Sequence, residues 1–153
     1  MKHLKVLLLI VLSLSVFADN WQTWRGKYGN GVSDETGIAA NWSQTENVQW
    51  RTKLPGRAGS TPIIWEDQIF LTSVAENGDD LLLICLNTDG KVKWQQKLGT
   101  GNRNIRGNEG NSASPSPCTD GQHVWAYVST GDIGCYDFEG NEIWKGNLEK
   151  WYG

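Results

Sequence analysis

Cys85-Leu86-Asn87-Thr88-Asp89-Gly90-Lys91-Val92-Lys93-Trp94-Gln95-Gln96-Lys97-Leu98 is followed, 50 residues on, by Cys135-Tyr136-Asp137-Phe138-Glu139-Gly140-Asn141-Glu142-Ile143-Trp144-Lys145-Gly146-Asn147-Leu148. Cysteine, glycine, tryptophan and leucine occupy matching places in the two stretches. A shorter version, Val48-Gln49-Trp50-Arg51-Thr52-Lys53-Leu54, comes earlier with the same Trp-to-Leu spacing. Self-similarity with a period of about 50 residues marks propellers and solenoids, whose units cannot bury an apolar face alone. Trp50, Gly90, Trp94, Gly140 and Trp144 are the residues assigned to this structural repeat.

Working outward, short apolar runs alternate with turn signals. Thr61-Pro62-Ile63-Ile64-Trp65, Gln68 to Val74, Leu81 to Leu86 and Lys91 to Leu98 read as four strands. Asn77-Gly78 reads as a type I′ hairpin turn, which needs positive φ at both central positions. The plan returns with Ser114 to Cys118, Gln122 to Val128, Ile133 to Asp137 and Asn141 to Leu148, joined at Asp120-Gly121, Thr130-Gly131 and Glu139-Gly140. Along the last strand of the first unit, Val92, Trp94, Gln96 and Leu98 share one face, which is expected to pack on a neighbouring sheet. No helical period is apparent after residue 18. The fold class is therefore all-β, built from four-stranded antiparallel meanders.

The stretch from Cys85 to Trp94 resembles the repeat of pyrroloquinoline-quinone-type β-propellers, usually Ala-x-Asp-x-x-Thr-Gly-Lys-x-x-Trp, and Cys135 to Trp144 is a looser copy. Both depart from that form, with cysteine for alanine and Asp89 or Glu139 for threonine. The opening Trp21-Gln22-Thr23-Trp24-Arg25-Gly26 and Gly29-Asn30-Gly31-Val32-Ser33 resemble the lead-in of secreted propellers of this type. The resemblance implies an N-terminal arm at 19–46 and a partial β-propeller at 47–153, with a ring-closing strand at 48–54 and blades at 60–98 and 113–148. Propellers close with about 4–8 blades, so two blades and one strand are expected to be the N-terminal part of a longer ring.

Lys2, His3 and Lys5 precede an almost wholly apolar run from Val6 to Phe17, and Ala18 precedes Asp19. This is the pattern of a secretory signal peptide at 1–18, and it predicts a periplasmic or extracellular protein with no integral membrane segment after cleavage. Losing Lys2 and Lys5 leaves 12 of the 14 basic residues against 17 acidic ones, a formal charge of −5. That balance argues against nucleic acid as a partner, because binding it requires phosphate neutralisation. Cys85, Cys118 and Cys135 are an odd set, and the repeat spacing places Cys85 and Cys135 in neighbouring sheets as unpaired, buried residues.

No nucleophile elbow, zinc-protease motif or phosphate loop is present. His123 has no acidic or nucleophilic neighbour in sequence and reads as an edge-strand polar residue rather than a base. Asp79-Asp80 reads as a solvated loop. The long connection from Gly99 to Asn111 is the candidate for ligand or partner contact. Within it, Asn102, Asn104, Asn108 and Asn111 offer donors and acceptors, and Arg103 and Arg106 suit a carboxylate or phosphate. The expected role is an exported, non-catalytic binding or scaffolding module whose protein or small-molecule ligand is unassigned. No metal or cofactor site is evident. The resemblance also implies an alternative, a truncated dehydrogenase dependent on pyrroloquinoline quinone.

Overall fold

The computed structural model describes residues 19–103 and 110–153, so the signal-peptide reading lies outside the described residues. Two four-stranded antiparallel sheets are formed, each an uninterrupted meander. The N-terminal sheet consists of β1 (Ile63–Trp65), β2 (Gln68–Val74), β3 (Leu81–Asn87) and β4 (Val92–Gly99). The C-terminal sheet consists of β5 (Cys118–Thr119), β6 (His123–Tyr127), β7 (Asp132–Asp137) and β8 (Glu142–Asn147). One short helix, α1 (Leu148–Tyr152), follows β8. This corrects the reading of Leu148 as the end of a strand: Asn147 caps the helix by accepting from the Lys150 N–H, which stops the extended chain one residue early.

The glycines explain why the hairpins close as they do. Between β3 and β4 the Gly90 N–H donates to Asn87 O and the Asn87 N–H to Lys91 O, with Gly90 at φ 77°. The same pair of bonds spans Asp137 to Asn141, with Gly140 at φ 88°. Each is a three-residue hairpin loop whose last residue is left-handed, a conformation that costs a side chain roughly 1–2 kcal/mol. Both sheets carry a register irregularity at the same place, after Cys85 and after Cys135. The Asn77-Gly78 turn differs from the type I′ expectation. Only Gly78 has positive φ, because the loop is longer: Ala75 N–H meets Asp80 O, and Asn77 Oδ1 accepts from the Asp79 and Asp80 N–H groups.

The face of β4 that carries Trp94 and Leu98 packs on the C-terminal sheet, as the alternation in sequence predicts. Phe70, Val74, Leu81, Leu83, Cys85 and Leu98 form one core with Val124, Ala126, Val128 and Tyr136, and Trp94 and Phe138 close its margin. Phe70 lies 5.9 Å from Trp94 and 5.2 Å from Phe138, centroid to centroid. On the other face of the N-terminal sheet, Leu71, Leu82, Ile84 and Leu86 form a second core with Leu54, Ile69 and Ala75. The unbroken apolar run of β3 follows from this two-sided burial.

Residues 48–54 pair with no strand among the described residues. The segment is held instead by side chains. Trp50 Nε1 donates to Thr88 O at 2.7 Å and the Thr52 hydroxyl donates to Gly90 O. Upstream, Trp21 exchanges two backbone hydrogen bonds with Ile64 in β1, and Gln22 O accepts from Thr119 N–H in β5. The arm thus ties together the first strands of both sheets.

Candidate functional site

The tryptophans make a repeated joint. Trp94 Nε1 donates to Phe138 O at 2.9 Å and Gln96 Nε2 to Gly140 O at 2.8 Å. Trp50 and Thr52 make the same two bonds to Thr88 and Gly90. In each case the indole covers a glycine turn so closely that a Cβ on Gly90 or Gly140 would overlap the ring. Glycine is needed there for both its left-handed backbone and its missing side chain.

Two clefts lie at one end of the sheets, beside the β2–β3 and β6–β7 hairpins and on either side of the connection that begins after β4. The first has a volume of about 330 Å³ between Gly56-Arg57, the Ala75-Glu76 end of the β2–β3 hairpin and Asn102. The second, about 390 Å³, lies between Thr100-Gly101, Arg103, the Ser129-Thr130 turn and Glu149 of α1. Each cleft presents an arginine and a glutamate, on a wall of Pro55, Val74, Ala75 and Asn102 in the first and of hydroxyl side chains in the second. Such a mixed lining suits a ligand with both donors and acceptors.

Of the residues expected at this face, Asn102, Arg103 and Asn111 are described, while Asn104, Arg106 and Asn108 lie outside the described residues. Asn102 and Asn111 build the loop. Asn102 Nδ2 donates to Gly78 O and its Oδ1 accepts from Ser112 N–H, while Asn111 is buried with Oδ1 accepting from Ala113 N–H. Arg103 donates its backbone N–H to the Ser112 hydroxyl and contributes to the second cleft. Sequence reasoning missed Ser129, Thr130 and Glu149. The signal that could have found Ser129 and Thr130 is the Val128 to Asp132 turn, which closes as the Ala75 to Asp80 turn does and so comes to the same end of the sheets.

Two other readings change. Asp79 is not a freely solvated loop residue: its Oδ1 accepts from Gly101 N–H and its carbonyl from Asn102 N–H, anchoring the connection. Asp80 pairs with Lys97 at 2.7 Å, and that bond holds its carboxyl below the ordinary carboxylate range. His123 does have an acidic neighbour, Asp120, whose Oδ2 lies 3.6 Å from Nδ1. Asp120 Oδ1 also accepts the backbone N–H groups of His123 and Gln122, which lower its pKa and fix the turn.

All three cysteines are free, Cys85 and Cys135 buried and Cys118 exposed. Burial pushes the Cys85 thiol up to about 12, which leaves it protonated and inert at neutral pH. Among the described residues no group of three His, Cys, Asp or Glu side chains is placed to hold a metal ion, and no helix is long and apolar enough to cross a membrane. No known protein family and no curated protein matches the chain.

Proposed function

We propose that the chain is two consecutive blades of an exported β-propeller that works as a binding or scaffolding module through the end carrying the two clefts. The observation behind this reading is the pair of equivalent joints, in which an indole seats on the next glycine turn with the same two hydrogen-bond acceptors each time. A joint that repeats at constant geometry generates a ring, and every junction of the ring opens a cleft at the same end. In this arrangement residues 48–54 are the outermost strand of the last blade, carried by the ring rather than by the first blade. Arg103 supplies a cationic contact to a carboxylate- or phosphate-bearing ligand, and the loop backbone is rigidly held by Asn102, Asn111 and Asp79.

Electron microscopy of the protein isolated from its own source tests the ring: a disc of radial sheets around a channel is expected, and a compact two-sheet particle contradicts it. Arg103→Glu tests the site. It inverts a charge in the second cleft without touching the inter-sheet core, and it is expected to weaken retention of any co-purifying ligand about tenfold, the scale of one charge-assisted bond. Unchanged retention would place binding elsewhere.

A further inference from the structure

At both joints the residue two places after the tryptophan supplies the second hydrogen bond, Thr52 to Gly90 O and Gln96 to Gly140 O. The corresponding residue after Trp144 is Gly146, which has no side chain to give. The space above Gly146 is nevertheless filled. The Trp151 indole lies on it so closely that any Cβ at that position would collide with the ring, and the same indole sits tilted by 46° against Trp144, 6.4 Å between centroids.

Trp151 is not brought there by a loose tail. Asn147 caps α1 through Lys150 N–H, and its own amide donates to Thr130 O and Asp132 Oδ1. Leu148 N–H donates to Gly131 O at 2.8 Å. These bonds fix the start of α1 on the β6–β7 turn, and Trp151, the fourth residue of the helix, lies back across β8. A large ring laid over a strand glycine is a known way to restore the missing side-chain layer.

We propose that Trp151 takes the place of the absent side chain at Gly146, so that Trp144 and Trp151 together form a two-indole platform for a partner's glycine turn. The partner is a further four-stranded blade whose three-residue hairpin offers two carbonyls, one at the left-handed glycine and one two residues before it. The two indole N–H groups match those acceptors, since neither has an acceptor among the described residues and tryptophan is a donor only. Trp151 keeps 52% of its surface exposed, which leaves it accessible for that contact. The inference rests on the blade reading above and adds a residue from outside the strand to the docking surface.

Fluorine NMR of the polypeptide of residues 19–153, in which this face is open, labelled with 5-fluorotryptophan resolves the question, with lines assigned by single Trp→Phe variants. The probe is a cyclised synthetic hairpin of residues 133–146, which carries the Gly140 turn, and a Gly140→Ala hairpin serves as control. The lines of Trp144 and Trp151 are expected to shift together with the first hairpin and not with the second. Trp151→Ala should weaken binding about tenfold, one lost hydrogen-bonded contact, and adding Gly146→Gln to it should restore binding by recreating the arrangement of Gln96. If Trp144 still responds in Trp151→Ala with unchanged affinity, the platform is wrong while the blade reading stands. If neither line moves at millimolar hairpin, the face does not receive a glycine turn and both readings fall.

Discussion

The two sheets have the same strand order and nearly the same register, yet one is covered on both faces and the other on one. In the N-terminal sheet the cross-strand row Ile63, Phe70, Cys85 and Trp94 is sealed against its neighbour, with the first three residues at 0% exposure. The equivalent row in the C-terminal sheet is Cys118, Trp125, Cys135 and Trp144. There Cys118 is exposed and Trp144 is 40% exposed. One row further along, Thr72 at 0% corresponds to Tyr127 at 36%. The chemistry of the two rows is alike, so the difference lies in what stands opposite. The N-terminal sheet has a neighbour carrying a glycine turn, and the C-terminal sheet has, among the described residues, only α1 on that side.

The largest effect that sharpens this contrast is expected from truncating the buried row. Phe70→Ala should destabilise the protein by about 3–5 kcal/mol, as for other buried aromatics, whereas Trp125→Ala at the equivalent open position should cost about 1 kcal/mol or less. Urea unfolding of the two variants checks it, and equal losses would break the comparison. Next come the turn glycines. Gly140→Ala both strains a left-handed residue and strikes Trp94, with its Cβ 2.7 Å from the ring, so a loss of about 2–4 kcal/mol is expected. Gly131→Ala has the same φ of 88° but meets only side-chain atoms of Asn147 at 3.3 Å and Glu149 at 3.4 Å, and about 1–2 kcal/mol is expected. The difference between these two variants isolates the indole contact.

A smaller effect concerns Tyr136, which faces the sealed core. Its hydroxyl is buried without a hydrogen-bond partner among the described residues, and burial pushes its pKa up to about 12. Tyr136→Phe should therefore leave stability unchanged or raise it by about 1 kcal/mol, read as a higher urea midpoint. The smallest effect is the pH dependence of the Asp80–Lys97 pair at the edge of the sealed sheet. The Lys97 bond lowers the folded pKa of Asp80 below its ordinary 3.8, so its contribution is present above that value and fades as pH falls through the folded pKa. The melting temperature should drop below about pH 4, and Asp80→Asn should make that drop shallower.

The strands were legible because their chemistry is local. The Leu81 to Leu86 run, the alternation around Trp94 and the left-handed glycines each dictate a conformation without help from distant residues. Residues 48–54 show the limit. Trp50 keeps its joint with Gly90, but a ladder needs a second strand, and no residue pattern within the segment reveals whether one stands beside it. The candidate face was half legible. Its loop announced itself by length and by Arg103, while Ser129, Thr130 and Glu149 come from a hairpin and a helix whose approach depends on how the sheets pack. The helix itself was hidden because five residues carry no detectable period and its position is set by the Asn147 cap and the Gly131 carbonyl.

The central claim is that the row from Cys118 to Trp144 is a docking face like the row from Ile63 to Trp94. Thiol alkylation measures this most directly, comparing the polypeptide of residues 19–153 with the protein isolated from its own source. Cys118 is expected to react readily in the former and to be protected in the latter, with Cys85 protected in both. Equal, rapid alkylation of Cys118 in both would show that nothing covers the open face, and the account would fail.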